Sequence, residues 1–407
     1  MATNQYTQNQ VYTNLKTDLV ALRAAESANY LTVGSKKYFK GQLTGLRDGI
    51  TRRFVIRDAG EFQEGIDLSA KGASTLTERY VDKTMHFGNV LIDTNIVEGV
   101  TDVDWDREIA YPNGKKLING VVQKVINDDL GLQNTAFIGK GWMPLNKASR
   151  FLGSISTESR YGFVDPMVDS VLASAGKSWE PVSADPIDAE GMLGKLSGTE
   201  FRETQFLPTI TISDELAAEL ASATVSSYTT GTDYDTLALS GVTQTIPAGT
   251  PIIVNGIFAC DLVGDKTSAN KAFIALEDAT AGSVKVAKVD FTGVGTREAC
   301  AADGDNVDIA NISGAKVKAI EAGDYYMGII RLDGAMEFET LDELDTSNAE
   351  TKYGKNEGIT VVEQRAIDVI KGSNKTRWTV GTLAGIVEKR AVAMVLVKDV
   401  APNLVVM

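Results

Sequence analysis

The sequence predicts an α+β fold carrying a late all-β insertion, and three stretches of the chain predict it. Strand-like sequence from Thr84 to Val97 runs on towards an amphipathic helix over Lys115–Leu130. Short β runs separated by Gly, Asp and Asn clusters fill the region from about Ser226 to Phe338, with no long helical period. Long apolar β-like sequence then returns at Ile359–Ile370, Arg377–Val387 and Ala391–Val397.

Composition sets the outer bounds. At 407 residues and 43% hydrophobic, the chain can bury a large core and is long enough for two or three domains. A net charge of -14 and a pI near 4.7 argue against a surface that binds nucleic acid by counterion release. Cys260 and Cys300 are the only cysteines and sit in no metal or redox spacing, so no disulfide scaffold or zinc site is expected. The first thirty residues lack a basic start followed by an apolar core, and the longest apolar run, Ala391–Val397, is too short to span a bilayer. Neither secretion by that route nor membrane insertion is expected, and no repeat of fixed period is present.

The elements follow in order. Val11, Leu15, Leu19 and Leu22 recur at spacings of four, four and three, which places them on one face of a short N-terminal helix. That face can dock on its own domain or on a neighbouring subunit, and both readings stay open. From Tyr38 to Arg57 the chain carries Gly41, Gly45 and Gly49 among Lys40, Arg47, Arg52, Arg53 and Arg57, then turns acidic from Asp58 through Glu61 and Glu64 to Asp67. This reads as a polarised two-stranded extension that gains little by folding alone and needs a partner surface.

In the following strand, Met85, Phe87 and Leu91 fall on one alternation. In the helix, Leu117, Val121 and Val125 form one row and Ile118, Val122, Ile126 and Leu130 the next. At about 1.5 Å per residue, Lys115–Leu130 spans roughly 24 Å. Pro112-Asn113-Gly114 is expected to break or bend it away from an earlier helical piece starting near Asp104. A further helix is expected after Asp165-Pro166, with Val168, Val171 and Leu172 inward, and strand and turn over Gly191–Phe201. Within the insertion the expected strands are Pro251–Val254, Ala272–Leu276, Ser283–Phe291 and Tyr325–Leu332. An acidic linker from Asp342 to Glu357 precedes the last strands.

Chemistry is poorly marked. His86 is the only histidine, and nothing beside it in sequence marks an orienting partner or a nucleophile, so a His-based triad or multi-His metal site is excluded. Asp102, Asp104 and Asp106 alternate as in a calcium loop, but the sixth position is Arg107 and the twelfth Asn113, so acids at a helix start explain them better. Gly139-Lys140-Gly141 and Gly293-Val294-Gly295 lack a phosphate-loop or dinucleotide fingerprint and read as turns. With 54 acids, carboxylate pairs abound, and a carboxylate-dependent hydrolase or lectin-like β protein is the rival class.

Taken in order, Gln63-Glu64-Gly65 with Asp67-Leu68, Asp104–Asp129, Arg160-Tyr161-Gly162-Phe163-Val164-Asp165-Pro166, Gly191–Phe201 with Leu207-Pro208, and Arg365–Val397 resemble the coat proteins of short-tailed Salmonella-type phages. The resemblance implies a Hong Kong 97-type capsid fold: N-terminal arm 1–36, extended loop 37–83, peripheral domain with spine helix 84–160, axial domain 161–225 and 341–390, inserted barrel-like β domain 226–340, and a C-terminal peripheral strand 391–407. It implies a major capsid protein of a tailed bacteriophage, with no reaction, cofactor or metal. The shell of hexamers and pentamers would form with a scaffolding and a portal protein in the host cytoplasm and become part of the virion, touching packaged DNA by non-specific proximity and no membrane. Another phage structural role is the nearer alternative. The expected assembly contacts are Val11, Leu15, Leu19 and Leu22 on the arm, and Arg52, Arg53, Arg57, Glu61, Glu64 and Asp67 on the loop.

Overall fold

The structure, a computed structural model, describes residues 16–36, 51–57, 78–93, 102–168, 171–172, 179–181, 192–293, 295–307, 312–340, 350–356, 358–368 and 373–398. Helices and strands are mixed, as the sequence predicts. Chain contacts divide the protein into two units: one from 1–53, 82–128 and 336–385, the other from 54–81, 129–335 and 386–407.

The first unit is built on an antiparallel sheet. Ser373–Ile386 pairs with Ile359–Asp368 on one side and with Glu78–Asp93 on the other, and Glu350–Asn356 closes the edge beyond Ile359–Asp368. Half of the expected acidic linker is therefore an edge strand, because Gly358 lets the chain reverse and pair Asn356 with Ile359. Thr51–Arg57 is a strand and pairs with Glu78–Asp93.

The long helix supplies this unit's core. Leu117, Ile118, Val121, Val122, Val125 and Ile126 are each at most 1% exposed, so both expected rows face inward as far as Ile126, each side chain contributing about 1.5–3 kcal/mol relative to exposure, while Leu130 is half-buried just past the helix end. The helix sits on Glu78–Asp93 at Gly88, where a Cβ would lie 2.5 Å from the Leu117 carbonyl oxygen. Met85 and Phe87 are buried as expected, but Leu91 is 57% exposed: its side of the strand has run beyond the cover by then, while Val90 on the other side is buried.

The expected break at Pro112–Gly114 does not occur. Helix runs from Asp102 through Trp105, makes a π turn over Asp106–Ala110, and continues as α-helix from Tyr111 to Asp129. The Tyr111 N–H reaches back five residues to the Asp106 carbonyl, and this wider turn accommodates a proline that has no N–H and whose ring would crowd the carbonyl four residues before it. The Asn113 side chain donates to the Ile109 carbonyl at 2.7 Å. The acids thus stand at the start of one uninterrupted helix.

The second unit centres on a large mixed sheet. Val392–Lys398 lies parallel to Thr135–Lys140 and antiparallel to Gly323–Leu332, which in turn pairs with Arg160–Val164. Val392 to Val397 are at most 1% exposed, as suits a strand covered on both faces. Thr135–Lys140 and Val392–Lys398 thus pair within this sheet, while Ser373–Ile386 pairs with Glu78–Asp93 in the first unit. Tyr325–Leu332, expected in the insertion, is a central strand of this sheet. After Asp165 the chain enters a 3-10 turn at Pro166–Val168, residues 171–172 are α-helical, and Val168, Val171 and Leu172 are buried as expected.

The inserted strands close on themselves. Thr224–Thr229 pairs with Asp235–Ser240, which pairs with Ser283–Val286; Val286 bridges to Ala275 at the end of Lys266–Ile274, which pairs with Pro251–Cys260. Val254 then bridges Val317, and Lys316 bridges back to Thr224. Val225, Leu237, Val254, Phe273 and Val284 are at most 1% exposed, and Tyr228 meets Phe273 and Phe291 edge-on. Among the described residues, the registered strand pair that joins the ring to the main sheet is Lys271 with Thr135.

Candidate functional site

Helix 16–25 meets the long helix at Gly114, where a Cβ would come 2.7 Å from the Val20 carbonyl oxygen and 2.9 Å from the Arg23 Cβ. The Pro-Asn-Gly signal that reads as a turn therefore marks a helix crossing. Thr17, Val20, Ala21, Ala24 and Ala25 form the buried face, small enough for the two backbones to approach. Leu19 and Leu22 are half-buried at its margin; Val11 and Leu15 lie outside the described residues.

Polar groups fix the orientation of this helix. Arg23 donates to both carboxylate oxygens of Asp106, at 3.0 and 2.5 Å, and to Glu26 at 2.5 Å. The Arg23 hydrogen bond holds the Asp106 carboxyl below the usual carboxylate range, and the Arg23 guanidinium is raised in return. Deeper in, Thr17 Oγ1 donates to Glu363 at 2.8 Å and Trp378 Nε1 donates to the same oxygen at 3.1 Å, while Arg365 pairs with its other oxygen at 3.1 Å. Trp378 is met edge-on by Trp105 at 6.3 Å. A buried carboxylate with three partners makes this a specific seat and not a greasy contact. At the other end, His86 Nε2 lies 2.7 Å from Asp128 Oδ2, an orienting partner invisible in the sequence because it comes from the long helix.

On the loop, Arg52, Arg53 and Arg57 fall within the strand Thr51–Arg57, and Glu61, Glu64 and Asp67 lie outside the described residues. Among the described residues, Leu19 and Leu22 share one helix and Arg52, Arg53 and Arg57 share one strand.

Two features of the second unit were missed. A cavity of about 360 Å³ is lined by Lys140, Lys147, Lys318 and Lys398 beside Glu321 and Tyr325, a cationic recess in an acidic chain. Lys398, at 3.2 Å, and Lys140, at 3.7 Å, hold the Glu321 carboxyl below its ordinary range. Such a recess can take an anionic group. The second feature is buried: Glu298, 1% exposed, faces Lys389 at 3.1 Å and Lys271 at 3.9 Å, and Lys271 donates to Asn134 Oδ1 at 2.8 Å. Beside it Arg390 pairs with Glu388 through two bonds of 2.8 Å. Spacing in sequence gives no hint of this cluster, since its members come from four separate segments.

Among the described residues, no group of three or more His, Cys, Asp or Glu side chains is placed to hold a metal ion, and no helix is long and apolar enough to cross a membrane. Cys260 and Cys300 are buried free thiols, and burial pushes both up in pKa.

No protein-family model matches the chain. No curated protein matches it. Among solved structures, it is similar to the capsid of Ralstonia phage GP4 at 7% identity and a TM-score of 0.41, over 92% of this chain and 90% of that one. It is likewise similar to the acid-stable capsid of Helicobacter pylori bacteriophage KHP30, at 7% identity and a TM-score of 0.39 over 90% and 91%. A third is a virus-like particle from Pyrococcus furiosus, at 9% identity and a TM-score of 0.34 over 92% and 97%. Likeness at this level identifies no family, and the functional reading rests on the chain's own residues and their placement.

Proposed function

We propose that the chain is a major capsid protein of a tailed bacteriophage, with a Hong Kong 97-type fold, that self-assembles into the icosahedral head enclosing the genome. The observation that carries this reading is the element order: a charged strand extension, then one unbroken helix from Asp102 to Asp129 laid along a sheet, then a second unit bearing an inserted β ring. That order accords with the sequence resemblance set out above. On this reading the unit with the long helix is the peripheral domain, the other the axial domain, and a scaffolding and a portal protein are the assembly partners.

Self-assembly also suits the physics. Polar extensions such as Arg52–Asp67 have too little apolar surface to order alone and are stabilised when a neighbour supplies it. The basic strand Arg52, Arg53, Arg57 and the acidic turn Glu61, Glu64, Asp67 would face opposite charges on adjacent copies, with the arm face of Val11, Leu15, Leu19 and Leu22 as the second contact.

The doubled reversal Glu64→Lys with Asp67→Lys tests the contact assignment. Sedimentation velocity of the variant should show loss of the fast shell boundary with an unchanged far-ultraviolet circular dichroism spectrum. Shells forming in normal yield would remove the acidic turn from the assembly contacts.

A further inference from the structure

The junction between the inserted ring and the main sheet is thin. One residue pair, Lys271 with Thr135, registers the two strands there, and the neighbouring Ala272 N–H donates to the Asn134 carbonyl at 3.1 Å. Next to that pair the side chains of Lys271 and Asn134 meet: Nζ lies 2.8 Å from Oδ1, with Lys271 2% exposed and Asn134 fully buried. The amide is held from its other end, since Asn134 Nδ2 donates to the Cys260 carbonyl at 3.2 Å. A buried carboxylate, Glu298, stands 3.9 Å from Nζ.

A primary amine against an oriented amide, with a carboxylate alongside and bulk water excluded, is the set of groups that amide exchange requires. Burial points the same way. Lys271 is 2% exposed, and it shares Glu298 with the half-buried Lys389. Burial disfavours the charged form of Lys271, which a neutral amide removes.

We propose that Lys271 and Asn134 become joined by an intramolecular isopeptide bond, formed by the folded chain itself with Glu298 carrying the protons. One proton passes from the Lys271 ammonium to Glu298, and the freed amine attacks Asn134 Cγ. The Nζ–Cγ bond forms, the attacking nitrogen gives a second proton to Nδ2, and the Cγ–Nδ2 bond breaks. The departing ammonia takes the proton held by Glu298 and leaves as ammonium, so the carboxylate is restored. No oxidant, reductant or co-reactant is needed, and the positive charge of Lys271 leaves as ammonium. Lys389 remains paired with Glu298, and Arg390 with Glu388. The product staples the ring to the main sheet beside the Lys271–Thr135 pairing.

The test is the intact mass of the denatured, purified full chain, followed by peptide mapping. The expected result is a mass lower than the sequence mass by one ammonia, with a branched peptide joining the segments that contain Asn134 and Lys271. Lys271→Met and Glu298→Gln should both run at full mass, and Lys271→Met should remain folded by circular dichroism. A wild-type chain at full mass, with both segments recovered as separate peptides, overturns the proposal. So does an ammonia loss that maps to Asn113, Asn119 or Asn255, each of which precedes a glycine and can lose ammonia by cyclising on its own backbone. The wild-type result decides the matter even if a variant fails to fold.

Discussion

At Gly114 two helices come together through small side chains and a bare backbone, with polar groups gathered at the margins; at Glu298 the chain buries charge in the middle of a sheet junction. The first contact is held mainly by close packing, so its strength depends on shape. The second is held by electrostatics in a site from which water is excluded, so its strength depends on every charge keeping its partner. The two regions should fail differently under substitution. Removing one group at Glu298 strands others, whereas adding one group at Gly114 pushes helices apart.

The largest effect is expected from Glu298→Ala, which leaves the buried Lys271 and the half-buried Lys389 without their shared carboxylate. Breaking a buried ion pair this way costs about 3–5 kcal/mol, and a lowered urea midpoint for loss of sheet signal would report it. A shift within error would mean that water or other groups already satisfy these lysines. Gly114→Val comes next. Its side chain must enter space held by Val20 and Arg23, and overpacking of this kind costs about 1–3 kcal/mol. Faster backbone amide exchange in helix 16–25 would show it, while unchanged protection would disprove the tight crossing.

The smallest effect belongs to Asp106→Asn. The Arg23–Asp106 pair is partly exposed, and such pairs contribute about 0.2–1 kcal/mol. Because Arg23 lowers the Asp106 pKa in the folded chain, the contribution is complete above the ordinary aspartate value of about 3.9 and is lost as pH falls below it. The wild type and Asp106→Asn should therefore differ in stability near neutral pH and converge in acid. A difference that persists in acid would assign the effect to packing.

The same contrast separates what the sequence discloses from what it hides. Repeating apolar residues such as Leu117, Val121 and Val125 report a helix face because one local period places them all. The strands of the insertion are legible for a similar reason. Pro112 misleads because a π turn, a local remedy with no sequence signature, absorbs it. Two helices were legible in principle but overlooked. Met143–Ile155 has Pro144 in its first turn, and Asp214–Ser222 is capped by Ser213, whose side chain accepts from the Leu216 N–H.

Sheet order is not legible at all. Nothing local says that Val392–Lys398 lies between Thr135–Lys140 and Gly323–Leu332, or that Asp128 comes to His86. The Glu298 cluster is hidden for the same reason. Of the expected contact residues, Arg52, Arg53 and Arg57 stand on a strand as the sequence predicts, but a contact proposed with another copy cannot be read from one chain.

The central claim is that this chain builds a closed shell. Electron microscopy of the purified full-length protein in negative stain, with and without a co-expressed scaffolding protein, tests it most directly. Closed shells, or sheets and tubes of regular lattice, are the predicted result. Uniform particles of monomer size under both conditions, above all with binding to glycans, would contradict it.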